Sequence, residues 1–233
     1  MDQKIIKVIV DTPLWEPLDY LNVPAENLKV GERCLVPVGR RTCVGIVVGF
    51  SQTSSFPQER LKKIIGRIDR LSPLSSNWLR FTKFASKYYL SPWGETAVPS
   101  LPKFFQRPPG QRHDSSLNRL RKTNFVLSAP DQELPVLNEE QKYVLDNFVQ
   151  SKFGVSLLYG ITGSGKTEVY LRLIQKVFDK DPEAQILLMV PEINLTPQLV
   201  ERVAKRFPNH AVGSWNSKMS EGEKAATWLA AHE

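Results

Sequence analysis

Apolar positions along the first hundred residues come in short, dense runs. Ile5-Ile6-Lys7-Val8-Ile9-Val10, Arg33 to Val38 and Val44-Gly45-Ile46-Val47-Val48-Gly49-Phe50 are rich in β-branched residues, and turn formers such as Val30-Gly31-Glu32 and Gly39-Arg40-Arg41 separate them. This pattern predicts strands, with Ile64, Ile65 and Ile68 in a fourth. Strands this short favour a small sheet or barrel over an array of βα units. A helix is predicted from Asn77 to about Tyr89. There Leu79, Phe81, Phe84, Ala85, Tyr88 and Tyr89 approximate a helical stripe, which is expected to face the core rather than to stack on bases, and Ser91-Pro92 ends it.

Between Ser91 and Pro135 the chain carries Pro92, Pro99, Pro102, Pro108, Pro109, Pro130 and Pro135, which do not propagate helix or central strand. A domain boundary is therefore expected here. Beyond it the rhythm changes to a helix at Asn138–Gln150, a buried strand at Val155–Tyr159, a helix from Lys166 to about Phe178 and a second buried strand at Ile186–Val190. Helices follow at Pro197–Phe207 and Ser220–Ala231, the last opened by the capping box Ser220-x-x-Glu223. Strands alternating with helices predict a parallel α/β sheet. The expected fold is thus multidomain, β-rich over 1–102 and α/β over 137–233, with 103–136 as a basic, proline-rich linker.

The 233 residues are 41% hydrophobic and 24% charged, which excludes disordered and collagen-like classes. Apolar runs such as Ile186–Val190 are far shorter than the 18 or so residues of a membrane span, and Met1-Asp2-Gln3-Lys4 opens no signal-peptide core. A cytoplasmic protein with no membrane partner is expected. The cysteines, Cys34 and Cys43, exclude a disulfide scaffold and read as small apolar residues. Net charge is +7. It concentrates between Leu101 and Asn124, where Lys103, Arg107, Arg112, Arg119, Arg121 and Lys122 face the single acid Asp114. Such a stretch suits a phosphate-backbone polymer, and charge alone equally allows a solvated linker.

Gly160-Ile161-Thr162-Gly163-Ser164-Gly165-Lys166-Thr167 matches the pattern G-x-x-x-x-G-K-[ST] in full. A chance match in a chain of this length is on the order of 1%, and the loop also follows an apolar run and opens a predicted helix. The pattern points to a nucleotide with Mg²⁺. The glycines let backbone N–H groups wrap phosphates, Lys166 reaches the β- and γ-phosphates, and the Thr167 hydroxyl ligates the metal. Upstream, Asn138-x-x-Gln141 fits either a helix cap or an amide that reads the adenine ring.

Gly160 to Leu171, extended through Glu168-Val169-Tyr170-Leu171, together with Val190-Pro191-Glu192-Ile193-Asn194-Leu195-Thr196-Pro197-Gln198, closely resembles motifs I and Ia of the PriA family, bacterial replication-restart DNA helicases of superfamily 2. Pro17-Leu18-Asp19-Tyr20-Leu21, Val36-Pro37-Val38-Gly39 and Gly45-Ile46-Val47-Val48 resemble that family's 3′-DNA-binding domain. The resemblance covers residues 1–102 and 137–233. It implies a 3′-DNA-binding domain followed by a partial RecA-like lobe, in a protein that recognises stalled forks, unwinds DNA 3′→5′ with ATP and initiates primosome assembly. Forked DNA, single-stranded 3′ ends, primosome proteins and single-stranded-DNA-binding protein are the partners it implies.

The positions matching the family's 3′-end pocket are Leu18, Asp19, Tyr20, Gly39 and Lys62. Asp19 would accept a hydrogen bond from a 3′-OH and repel a 3′-phosphate, Tyr20 would offer a face to the terminal base, and Lys62 would meet a phosphate. Without the resemblance, Asp19 and Tyr20 read as turn and core residues. The resemblance also favours the adenine role for Gln141 and assigns Thr196 to the single strand. Gly160, Thr162, Gly163, Ser164, Gly165, Lys166, Thr167 and Glu168 fall to the nucleotide. Two family features have no counterpart in this chain, namely a winged helix between the two domains and an Asp-Glu box after the second motif. ATP turnover by this polypeptide alone is therefore not expected, and zinc is expected only in a further C-terminal part. Two other readings are a non-catalytic module that binds fork 3′ ends and a P-loop ATPase unrelated to DNA.

Overall fold

A computed structural model of the chain describes residues 5–23, 27–122, 134–148, 154–190 and 196–233. They form two units, Met1–Thr123 with Ser217–Glu233, and Asn124–Asn216.

In the first unit, β1 (Ile5–Val10), β2 (Leu18–Leu21), β3 (Arg33–Val38), β4 (Arg41–Ser51) and β5 (Gly66–Arg67) form one antiparallel sheet in the order β2-β1-β4-β3-β5. The long strand β4 pairs with both β1 and β3, and a bulge interrupts its register with β1 between Lys7 and Val8. Both faces of the sheet are covered. Ile6, Val8 and Val10 pack with Tyr20, Cys34, Val36, Val47 and Ile64 on one side. Ile9 and Ile46, opposite each other across β1 and β4, pack into a helical layer on the other side. This two-sided burial explains why β1 is apolar throughout except at Lys7. Each fully buried aliphatic side chain contributes about 1.5–3 kcal/mol.

The helical layer contains α1 (Ser76–Tyr88), α2 (Trp93–Ala97), α3 (Lys103–Gln106), α4 (His113–Arg121) and α8 (Glu221–His232). Helix α1 lies where expected, but its face is reversed. Leu79, Thr82 and Ser86 are buried, whereas Phe81, Phe84, Tyr88 and Tyr89 are at least 61% exposed. The small hydroxyl side chains let α2 approach. Trp93 Nε1 donates to Thr82 Oγ1 at 3.1 Å and Ser86 Oγ donates to the Ser91 carbonyl at 2.6 Å. Gly94 completes this contact with β1, since a Cβ there would lie 1.7 Å from the Val10 carbonyl oxygen.

Residues 103–136, expected as a linker, begin with two helices. Pro92 and Pro102 stand immediately before α2 and α3, where the fixed proline φ starts a turn. Phe105 is fully buried. The Arg33 guanidinium sits 4.8 Å from its ring centroid and donates to its carbonyl at 3.0 Å. Asp69 receives the other arm of Arg33 and lies 3.4 Å from His113 Nε2. Burial pulls the Arg33 pKa down, while Asp69 works against that pull. Helix α8 opens with the predicted capping box, with Glu223 N donating to Ser220 Oγ at 3.2 Å and Ser220 N to the Glu223 carboxylate at 2.8 Å. It belongs to the first unit rather than to the domain expected over 137–233, because its apolar face has partners there. Ala225 and Leu229 are buried, and the Trp228 ring centroid is 4.6 Å from that of Phe105.

The second unit contains α5 (Glu139–Asn147), α6 (Lys166–Phe178) and α7 (Thr196–Arg206) among its described residues. Leu145, Val169, Leu171, Ala204 and Phe207 are buried in it. Lys176 Nζ donates to the Leu145 carbonyl at 2.6 Å, and Phe178 stacks on His210 at 3.8 Å between centroids. The two segments expected as buried strands differ from expectation. Val155–Tyr159 and Ile186–Val190 carry no strand, and Val155, Leu157, Tyr159, Leu187 and Met189 are all more than 80% exposed. An inner parallel strand needs hydrogen-bonding neighbours on both edges and helices on both faces. Among the described residues, neither segment has such a neighbour. The fold as a whole is mixed α/β, with an antiparallel sheet in the first unit and a helical α/β region in the second.

Candidate functional site

The phosphate loop is built by local geometry. Gly163 and Gly165 adopt φ of +82° and +79°, so the chain turns through left-handed backbone that side chains disfavour, and α6 starts at Lys166. Ser164 N donates to the Ile161 carbonyl at 3.3 Å and Glu168 N to the Gly165 carbonyl at 3.0 Å. Lys166 Nζ donates to the carbonyls of Gly160 and Ile161 at 2.6 and 2.7 Å. The ammonium thereby lies against the loop that it is expected to serve. Thr162 is exposed and Thr167 is half-buried on the first turn of α6. The left-handed glycines, the helix N-terminus and the adjacent ammonium suit a nucleotide phosphate.

Gln141 combines parts of both sequence readings. It closes a capping box, its backbone N–H donating to Asn138 Oδ1 at 2.8 Å and its side-chain oxygen accepting from Asn138 N at 3.0 Å. Its Nε2 points into the loop, 3.3 Å from the Ser164 carbonyl and 3.5 Å from that of Gly165. A Cβ at Gly165 would lie 2.4 Å from this nitrogen, so the flexible amide would have to swing away from the loop. The amide is thus both the cap of α5 and a contact of the phosphate loop.

Glu168 was expected among the nucleotide residues, but its carboxylate is engaged elsewhere. It is 5% exposed and receives Arg172 at 3.0 Å, Arg206 at 3.3 Å and Arg202 at 3.4 Å. One turn into α6, its side chain leaves the phosphate end and joins α6 to α7. No signal in the sequence marks this. Only Arg172, at helical spacing, is predictable, and the other two arginines come from a separate helix.

In the first unit, two of the five expected pocket residues, Lys62 and Gly39, bond to each other, and β2 is tied to the segments that carry them. Leu21 N donates to the Lys62 carbonyl at 2.8 Å, and Lys62 Nζ donates to the Gly39 carbonyl at 3.0 Å. Two residues earlier than Gly39, the Pro37 carbonyl accepts from the Tyr20 hydroxyl at 3.2 Å. Leu18 is half-buried and packs against the core below β2. Tyr20 departs from its expected role as a stacking face. Its ring is 3% exposed among core residues, and burial, reinforced by Cys34 and Cys43, pushes its hydroxyl pKa up to about 12. Alternation along β2 sends Tyr20 inward and Asp19 to the opposite face. The reading of Tyr20 as core, made without the resemblance, is the one its packing matches.

Asp19 is held from both sides. Its side chain is 6% exposed, with Lys7 Nζ at 3.0 Å from Oδ1 and Ser54 Oγ donating to Oδ2 at 2.6 Å. Sequence reasoning missed both partners. Lys7 carries a signal, as the lone charge in an otherwise apolar strand whose register places it opposite Asp19. Ser54 carries none, standing in the polar run Ser51 to Ser55. The side chain of Thr196 and residues 191–195 lie outside the described residues, so that part of the second motif has no structural account here.

Comparisons with known proteins divide the chain at nearly the same place, except that the second match runs on through most of α8, which packs in the first unit. A family model described as the 3′ DNA-binding domain of PriA matches residues 7–102, and one described as the res subunit of type III restriction enzymes matches residues 134–229. The replication restart protein PriA of Rickettsia conorii is 31% identical over 221 residues, covering 95% of this chain and 32% of the relative. That of Haemophilus influenzae is 26% identical over 295 residues, covering 97% and 40%. That of Bacillus subtilis is 41% identical over 102 residues, covering 42% and 12%. The chain spans about a third of the length of relatives it matches along nearly its whole extent. With matches to a 3′ DNA-binding domain and to a helicase-type segment, and with relatives aligned along nearly all of its length, the chain belongs to the replication restart protein PriA family and corresponds to the N-terminal portion of its members.

Proposed function

We propose that this chain recognises the 3′-hydroxyl end of a DNA strand at a fork through its first unit and binds ATP with Mg²⁺ through its second. In this reading it is the N-terminal portion of a cytoplasmic 3′→5′ restart helicase that initiates primosome assembly. The observation that carries the reading is Asp19, a nearly buried carboxylate held by Lys7 and Ser54 on the same strand as the Leu21 contact to Lys62. A carboxylate so placed accepts a hydrogen bond from a terminal hydroxyl and repels a terminal phosphate. Lys62 and the turn at Gly39 supply a cation and a backbone edge for the last phosphate. Leu18 gives apolar contact, and the part left to Tyr20 is to anchor β2 rather than to stack.

On the second unit, Gly160, Thr162, Gly163, Ser164 and Gly165 supply the backbone cradle, Lys166 neutralises phosphate charge and the Thr167 hydroxyl ligates Mg²⁺. Gln141 reaches the adenine ring by exchanging its loop carbonyls for the base edge. Bound ATP supplies phosphoryl-transfer chemistry, and this chain's residues bind and orient it. Thr196 and the start of α7 face the single strand. Single-stranded-DNA-binding protein and primosome proteins are the partners this reading carries with it.

The test is a binding comparison between single strands ending in 3′-OH and in 3′-phosphate. The hydroxyl form is expected to bind about tenfold more tightly, the equivalent of a charged hydrogen bond, and Asp19→Ala removes the difference. Equal affinities for the two ends in the native chain would overturn the pocket. Steep salt dependence accompanies binding in either case. A non-catalytic end-binding module is the second reading, and the exposed Val155–Tyr159 and Ile186–Val190 segments favour it for this chain in isolation. ATP hydrolysis by this chain is then expected to stay at background, and turnover abolished by Lys166→Ala would refute that expectation.

A further inference from the structure

The residue after Thr167 is the one buried carboxylate of the described second unit, and it is surrounded by three guanidinium groups. Arg172 is on the same helix, and an i,i+4 pair alone would be an ordinary surface feature worth a few tenths of a kcal/mol. Arg202 and Arg206 come from α7, one turn apart on a single face, and reach both carboxylate oxygens. Arg206 is itself 5% exposed at its side chain. A carboxylate this deeply buried is costly to strip of its partners, so displacement of the first turn of α6 carries α7 with it. Three guanidiniums also hold more donors than one carboxylate accepts, which leaves the half-exposed Arg202 with donors to spare.

We infer that Glu168 is a positioning residue that couples nucleotide binding at the start of α6 to single-strand binding at α7, through Arg202 and Arg206. The inference rests on the nucleotide and single-strand assignments proposed above, and it adds the physical link between them. Coupling of this kind is reciprocal, since a nucleotide that shifts α7 changes strand affinity by the same factor with which the strand changes nucleotide affinity.

The experiment uses this chain, a non-hydrolysable ATP analogue with Mg²⁺, and an oligothymidylate as the strand. Nucleotide affinity is measured without and with saturating strand, and circular dichroism monitors the fold. In the native chain the strand is expected to change nucleotide affinity by about fivefold or more. Glu168→Gln is expected to bring that ratio to about one, and Arg202→Gln to lower it about twofold while Arg206 still joins the two helices. Arg202→Gln removes a half-exposed group and leaves Glu168 two partners, so it keeps the fold. A native ratio in either folded variant overturns the inference. So does loss of nucleotide binding itself in folded Arg202→Gln, which would assign the cluster to the phosphate site. A native chain that binds both ligands with a ratio of one overturns the coupling and leaves the two sites standing. A native chain that binds no nucleotide or no strand removes the proposed function, and the coupling with it.

Discussion

The two units divide the work of folding differently. In the first, every strand of the sheet has a hydrogen-bonded neighbour and both faces are covered, so apolar runs such as Ile5–Val10 end up buried. In the second, the signature loop and its helix are formed while the flanking apolar runs, equally strand-like in composition, stay exposed. The difference lies in the range of the contacts required. A phosphate loop is closed by bonds within about eight residues, whereas a parallel strand depends on partners far along the chain.

Hydrogen exchange is the sharpest way to break this comparison. Amides of β1 and β4 are expected to open only with the first unit as a whole, and those of Val155–Tyr159 and Ile186–Val190 to exchange near the rate of free chain. With a global stability of about 5 kcal/mol or more, the contrast is at least about a thousandfold. Equal protection would show that the second unit holds a sheet. Phe105→Ala comes next, and chemical denaturation should find the first unit weaker by about 3–5 kcal/mol. Nucleotide binding by the second unit should be unaffected, and joint loss would deny the independence of the two units.

Lys166→Ala is the converse experiment. Nucleotide affinity is expected to fall about tenfold or more, as loss of a charge-assisted contact implies, while the denaturation midpoint of the first unit stays in place. A last experiment concerns alkali. Burial raises the Tyr20 hydroxyl from 10.0 to about 12 and the Cys34 thiol from 9.0 to about 12. Both groups keep their protons in the folded first unit at pH values where the unfolded chain releases them. Their contribution is complete below pH 9 and falls as pH rises through 9 to 12, by up to about 3 kcal/mol for Tyr20 and about 4 kcal/mol for Cys34. Tyr20→Phe should flatten the upper part of that slope in denaturation curves taken at successive pH values. An unchanged slope would place the hydroxyl in water.

Legibility in the sequence follows the same boundary of range. The phosphate loop, the capping boxes at Asn138 and Ser220 and the strand runs of the first unit are readable because each rests on neighbours in the chain. Helix α1 is readable in position but not in orientation. Its aromatic stripe and its Leu79-Thr82-Ser86 stripe have the same spacing, and the choice is made by Trp93 and Ser91, which bond to the hydroxyls. The prolines around Pro92 and Pro102 read as breakers, yet they stand where helices begin, because a proline is harmful inside a helix and suitable at its start. Lys7 and Ser54 come to Asp19 from a neighbouring strand and a loop, and Arg202 and Arg206 come to Glu168 from another helix. None of these meetings has a fixed spacing.

By itself, then, the sequence determined the chemistry on offer and its local scaffolds. It specified a loop able to hold phosphates, the capping boxes at Asn138 and Ser220, and the strands of the first unit, because these depend on backbone preference and on contacts a few residues away. Tertiary structure alone decided which face of α1 is buried, that Tyr20 is an anchor, that Glu168 turns from the nucleotide to the arginines, and that α8 joins the first unit. Each of those outcomes is a competition among distant surfaces for burial and for hydrogen-bond partners, and only the folded chain brings the competitors together.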